Sequence, residues 1–173
     1  KFLRKNKDWK AALEKFPYNL LFERQIIGHL SRNQEDYVGA LGQLPESLSK
    51  MLVHGYQSLI FNRVLDQRLR EGLDIQRPLI GDNVIPADNY GGPDQRKIIE
   101  VTERNQAKLE KRCGEGKAWI AGLLPGAKSE HTGGVQGDIE KAVMNEEKIG
   151  FKDFIIEDMP ELTSFGMYRP LHQ

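Results

Sequence analysis

Apolar residues in the first third of the chain recur at helical spacing. Leu20, Leu21, Ile26, Ile27 and Leu30 share one face of a predicted helix over Asn19 to Leu30, with Asn19 placed to open it and Glu23 in its first turn. Shorter helices are predicted over Lys7 to Lys15 and Asp36 to Leu41, with Pro17 and Pro45 as punctuation. Pro45 and Glu46 suit the first turn of a long helix that runs to about Arg70 and ends at Gly72. At 100° per residue, Leu48, Leu52, Tyr56 and Leu59 form one apolar face of it, Val53, Ile60 and Val64 a second, and Phe61 with Leu65 a third. No wide polar face remains between Met51 and Leu65, which predicts a helix enclosed between two layers or two domains. Gly55, Ser58 and Asn62 form a seam of small and polar residues on it. The seam reads either as a line on which a neighbouring segment docks, or as the edge of a ligand cleft reached by Gln57 or Asn62.

The pattern changes near residue 76, where the periodicity shortens and Gly and Pro become frequent. Strands are predicted in "GDNVIPADN", in Lys97 to Thr102 and in Lys117 to Gly126, with extended candidates at Phe154 to Ile156 and Met167 to Leu171. Helices are predicted over Thr102 to Arg112, with Thr102 as the cap, and over Gly137 to Lys148, opened by Asp138. Strands and helices alternate without a regular βαβ repeat. The expected fold class is therefore α+β, with a helical part at 1–76 and a mixed α/β part at 77–173.

Composition narrows the function. The chain has 173 residues, of which 39% are apolar and 29% charged, and no run of eighteen apolar residues, so no membrane-spanning helix is expected within it. Lys1 rather than Met predicts that the sequence begins inside a longer polypeptide. A single cysteine, Cys113, can form neither an internal disulfide nor a thiolate metal cluster, and suits a reducing compartment such as the cytoplasm. Basic and acidic residues balance at 25 each but are segregated. Lys1 to Lys15 holds six basic against two acidic residues, Arg96 to Lys117 seven against four, and Glu130 to Glu161 three against nine. The two basic segments read either as solvated faces or as a surface for nucleic-acid phosphates.

Most chemical motifs are absent. His29, His54, His131 and His172 show no zinc-binding spacing, and His54 reads as a core or interface residue. No phosphate-binding GxxxxGK[ST] or GxGxxG occurs. "HTGGVQGDIEK" is glycine-rich ahead of a helix, which suits either a flexible loop capped by Asp138 or a phosphate on a helix N-terminus.

Three stretches in this order carry a resemblance: "LVHGYQSLIFNRVLDQRL", "AGLLPGAKSEHTGGVQGDIEKAVMNEEKIGFKDF" and "MPELTSFGMYRPL". Gln57-Ser58-x-x-Phe61-Asn62, Gly137-Asp138-Ile139-Glu140, Asp153-Phe154, and Ser164-x-Gly166-x-x-Arg169 after Pro160 make the chain similar to the TruD family of tRNA pseudouridine synthases, its archaeal branch above all. The resemblance implies isomerisation of a specific uridine in tRNA, without metal or cofactor, through an aspartate that handles the glycosidic bond at C1′. It also implies that the uridine is swung out of its stack. The family's Gly-x-Lys-Asp-x-x-Ala-x-Thr segment is missing. Gly150-Phe151-Lys152-Asp153 spells only its beginning, so no catalytic residue is expected among these 173 and Asp153 reads as structural. What the resemblance implies is the insertion domain that clamps tRNA, partnered by a catalytic domain of the same chain. Arg63 and Arg169 are then expected to contact RNA, with Tyr168 stacking on a base, and Gln57 and Asn62 to line a cleft or domain junction. Gly55 and Tyr168 depart from the alanine and second arginine common there. The competing reading is a non-catalytic RNA-binding or protein-docking module.

Overall fold

The structure is a computed structural model that describes residues 8–172. Its contacts divide into two compact units, one of residues 8–54 with Ile156–Leu162 and one of Gly55–Ile155 with 163–172. The class is α+β, with six α-helices and one antiparallel four-stranded sheet among the described residues.

The first unit is helical. Helix α1 (Trp9–Lys15) is capped by Asp8, whose carboxylate accepts from Ala11 N at 3.0 Å. Helix α2 (Leu21–Leu30) begins after Leu20 with no side-chain cap, so Asn19 does not perform the role expected of it. Arg24 holds the two helices together by donating to the carbonyls of Leu13 (2.8 Å) and Phe16 (2.7 Å), orphan acceptors at the end of α1. Helix α3 (Tyr37–Leu41) is capped by Asp36 on Gly39 N at 2.9 Å. Ala12, Ile27, Leu30, Ala40, Leu44 and Leu162 are the buried apolar residues of this unit. Of the basic segment Lys1 to Lys15, the first seven residues lie outside the described residues.

Helix α4 (Glu46–Arg70) has the predicted extent, and Gly72 follows it at φ 73°. Its enclosure is a different matter. Gln57, Ile60, Phe61, Val64 and Arg68 are buried along one face, whereas Met51, Leu52 and Leu59 are 59%, 49% and 47% exposed. The expectation of a helix surrounded on all sides therefore fails within this chain. A helix resting against one sheet and one neighbouring helix covers only part of its circumference, and the apolar residues opposite stay in solvent. His54 is exposed rather than core, and nothing lies within 4 Å of where a Cβ on Gly55 would sit, so no described segment docks on that seam.

The sheet order is β2–β1–β3–β4, formed by β1 (Asn83–Pro86), β2 (Ile99–Glu100), β3 (Ala118–Leu124) and β4 (Met167–Pro170). Phe61 of α4 packs on the sheet with Ile120 and Leu171, and Ile60 and Val64 pack on Ile139, Val143 and Met144 of helix α6 (Gly134–Glu146). Burying each such side chain stabilises by about 1.5–3 kcal/mol.

Four predicted elements are corrected. The second strand shrinks from six residues to Ile99–Glu100, the start of the segment being taken by a turn in which Lys97 N donates to Asp94 O at 2.9 Å. Helix α5 (Gln106–Gly114) starts after Asn105, and Thr102 opens the preceding turn instead of capping, its N–H donating to Asn105 Oδ1 at 2.8 Å. Helix α6 begins a turn earlier than expected, at Gly134, with no side-chain cap. Asp138 lies inside it, exposed and paired to Lys141 at 3.2 Å. Phe154 ends a 3₁₀ turn (Phe151–Phe154) rather than opening an extended segment.

Cys113 is buried beside Val84, Val101, Leu109 and Ala118. Desolvation pushes its thiol up to about 11 from the usual 9.0. A raised thiol pKa stabilises the fold fully below the unfolded value, and that contribution is lost as pH rises from about 9 to about 11. Iodoacetamide at pH 8 is accordingly expected to leave Cys113 unmodified until urea unfolds the second unit. Full labelling of native protein within minutes would contradict this burial.

Candidate nucleic-acid interface

The turns flanking β3 and β4 are fastened to α4 by one side chain. Gln57, 5% exposed, donates through Nε2 to the carbonyl of Pro125 (2.6 Å), just after β3, and to Ser164 Oγ (2.7 Å), just before β4. Both amide hydrogens are thus spent on two different loops, which explains a glutamine on an otherwise apolar helix face. Beyond that clamp the loops continue side by side: Ala127 N donates to Ser164 O at 2.7 Å, and Lys128 N to Phe165 O at 3.3 Å. Gly166 sits at φ 84°, and a Cβ on Gly126 would overlap its backbone, so the two chains meet as bare peptide.

Gln57 and Arg169 belong to the same locality. One turn after Gln57, Phe61 packs under the sheet, and the Arg169 guanidinium lies 4.0 Å from the centroid of its ring. Arg169 is half-buried and, among the described residues, has no carboxylate partner. The Phe61 ring stands where a carboxylate would otherwise meet the guanidinium. Arg63, by contrast, is committed to two acids at the C-terminal end of α6, with Nη2 at 2.6 Å from Glu146 Oε2 and Nη1 on Oε1 of Glu147, the residue that follows the helix. Its charge is already offset. Asn62 points away from Gln57, about 140° round the helix, and is exposed. The four predicted residues therefore do not converge: Gln57 and Arg169 meet at the β3–β4 end, while Arg63 and Asn62 lie elsewhere on α4.

A polar network that sequence reasoning missed lies behind this end of the sheet. Arg68, fully buried, donates from Nη1 and Nη2 to the two oxygens of Asp82, each at 2.8 Å, and from Nη1 to Gln136 Oε1 at 2.8 Å. Gln136 Nε2 donates at 3.3 Å to Glu140, which also accepts from Thr132 N (2.9 Å) and Thr132 Oγ1 (2.8 Å). The chain of bonds reaches β4 at Tyr168. Burial raises its phenol above the usual range, the Glu140 carboxylate adds to this, and hydrogen bonds with Thr132 and Asn83 oppose it.

The glycine-rich approach to α6 borders a groove of about 620 Å³ lined by Ile80, Thr102, Arg104, Gly133 and Gly134. Glu100 and Glu103 line it as well, and two carboxylates against one guanidinium oppose a phosphate there. Asp153 is structural: Oδ2 accepts from Gly150 N at 2.6 Å. Among the described residues no three His, Cys, Asp or Glu side chains gather to hold a metal, and no helix is long and apolar enough to cross a membrane.

A profile described as tRNA pseudouridine synthase D (TruD) matches residues 1–173. A protein of Methanosarcina acetivorans named "Probable tRNA pseudouridine synthase D" is 36% identical over 97% of this chain and 38% of its own length. One of the same name from Thermoplasma volcanium is 41% identical over 92% of this chain and 38% of its own. A crystal structure of a TruD protein from Methanosarcina mazei superposes with a TM-score of 0.89 at 36% identity, covering 98% of this chain and 39% of that one. The chain thus spans about two-fifths of the length of the relatives it matches. The chain belongs to the tRNA pseudouridine synthase D family.

Proposed function

We propose that this chain is part of an enzyme that isomerises a specific uridine of tRNA to pseudouridine, with residues 1–76 and 77–173 forming the part that clamps the RNA. The observation that carries the reading is a family match along the whole chain that accounts for only about two-fifths of each relative. A catalytic domain of the same polypeptide then supplies the carboxylate. In the isomerisation the C1′–N1 bond breaks, the uracil turns, C1′ bonds to C5, the C5 proton leaves and N1 takes up a proton.

Within this division of labour Arg169 contacts a phosphate, its charge being unmatched by any described acid. Gln57 positions the loops beside it. Arg63 contacts RNA only by exchanging its partners at the end of α6, and the exposed Asn62 faces the cleft or the neighbouring domain. A reducing compartment such as the cytoplasm suits the buried free thiol.

Tritium release from C5-labelled uridine in tRNA tests the proposal. The full-length protein is expected to release tritium, and alanine at its presumed aspartate to abolish release. Asp153→Asn is expected to keep it, because asparagine caps a turn as well as aspartate does but cannot act as a carboxylate. Loss of release in Asp153→Asn would move the chemistry into this chain and overturn the division.

A further inference from the structure

At the outer end of the clamped loops a large aromatic side chain stands in solvent. Phe165 is 57% exposed, and the Lys128 ammonium from the facing loop lies 4.6 Å from its ring centroid. Neither residue is loosely presented. The loops that carry them are joined by Ala127 N to Ser164 O and Lys128 N to Phe165 O, braced by Gly126 N on Ser129 Oγ at 3.0 Å, and anchored from beneath by both donors of Gln57.

Resting on the reading above, we propose that Phe165 and Lys128 form a stacking platform for one unpaired nucleotide of the RNA substrate. Charge decides between this occupant and a protein surface. Arg63, Arg68, Arg77, Arg96 and Lys117 each have a carboxylate partner, but among the described residues Lys128 has none, its only partner of note being the ring. Covering Phe165 with an apolar protein surface would strip water from an unpaired ammonium, which costs several kcal/mol. A nucleotide removes the conflict, because its phosphate takes the ammonium while the base takes the ring face that the ammonium leaves. Arg169, two residues beyond Met167 on β4 and likewise without a carboxylate partner, continues the cationic edge toward the next phosphate.

The test is the affinity of the full-length protein for an unmodified tRNA transcript, measured across a salt series. Phe165→Ala is expected to weaken binding roughly 5- to 100-fold with the salt slope unchanged, and Phe165→Trp to restore it. Lys128→Gln is expected to reduce the slope by about one. Parental affinity in Phe165→Ala would overturn the platform while leaving the tRNA reading intact. Binding that falls together with the melting temperature in Phe165→Ala, and that Phe165→Trp fails to rescue, would show Phe165 docked on another part of the protein and also overturn it. A parent that binds no tRNA at any salt would overturn the platform and the proposed function together.

Discussion

Asp82→Ala is expected to destabilise the second unit by about 3–5 kcal/mol, the cost of leaving a buried charge without its partner. Arg68 is fully buried and Asp82 is 1% exposed, so neither can turn to water when the other is removed. The guanidinium makes five hydrogen bonds, two to Asp82, one to Gln136 and two to the Asp74 carbonyl at 2.9 and 3.1 Å. Asp82 Oδ2 further accepts from Leu79 N at 2.9 Å. Alanine deletes half of this arrangement and strands the rest. The Arg63–Glu146 pair has the same chemistry, but its side chains are 38% and 65% exposed, and its removal is expected to cost less than about 1 kcal/mol. Urea unfolding followed through Trp119, on β3 of the same unit, measures both. An Asp82→Ala loss below about 1 kcal/mol would show that the pair is not sealed from solvent. Arg68→Met with Asp82→Leu is expected to cost less than either single change, since the double variant buries no charge.

That network also marks where sequence reasoning stops. The extent of α4 was legible because Pro45, Glu46 and Gly72 act locally on the backbone, and β1, β3 and β4 were legible from short apolar runs between turn residues. Arg68, however, reads as one more basic residue in the last turn of a helix, where cations belong. Its burial depends on Asp82, 14 residues on, and Gln136, 68 residues on, which no local pattern connects. The starts of α5 and α6 were misplaced for a related reason. Thr102 and Asp138 are good caps by type, but Asn105 claims the N–H of Thr102, and the helix runs back past Asp138 to Gly134. At the candidate interface Gln57 drew attention as a polar residue on an apolar helix, though its two acceptors lie 68 and 107 residues away. Phe165 went unread because a single aromatic between Ser164 and Gly166 has no periodicity, and its exposure comes only from the paired loops.

Gly137→Ala carries the second large effect, and it shows why a glycine's meaning is tertiary. Gly137 is helical, and in an isolated helix alanine would gain up to about 1 kcal/mol over it. Here a Cβ would fall on the carbonyl oxygen of Thr132, well inside contact distance. Thr132 cannot retreat, because its N–H and Oγ1 both donate to the buried Glu140, at 2.9 and 2.8 Å. Either α6 shifts or those two charge-assisted bonds lengthen. Overpacking costs about 1–3 kcal/mol and a weakened bond to a charged acceptor about 1.5–3, so a loss of about 1–3 kcal/mol is expected by either route. Tyr168 bonds to Thr132, so the disturbance also reaches β4 and the loop that presents Phe165. Gly28→Ala is the opposite case. Gly28 lies within α2 with nothing inside 4 Å of its Cβ position, and the substitution is expected to stabilise by about 0.4–1 kcal/mol. Urea midpoints that move in opposite directions for the two variants would bear out the contact at Thr132. A Gly137→Ala protein as stable as its parent would show that the α6 N-terminus has room the structure does not give it.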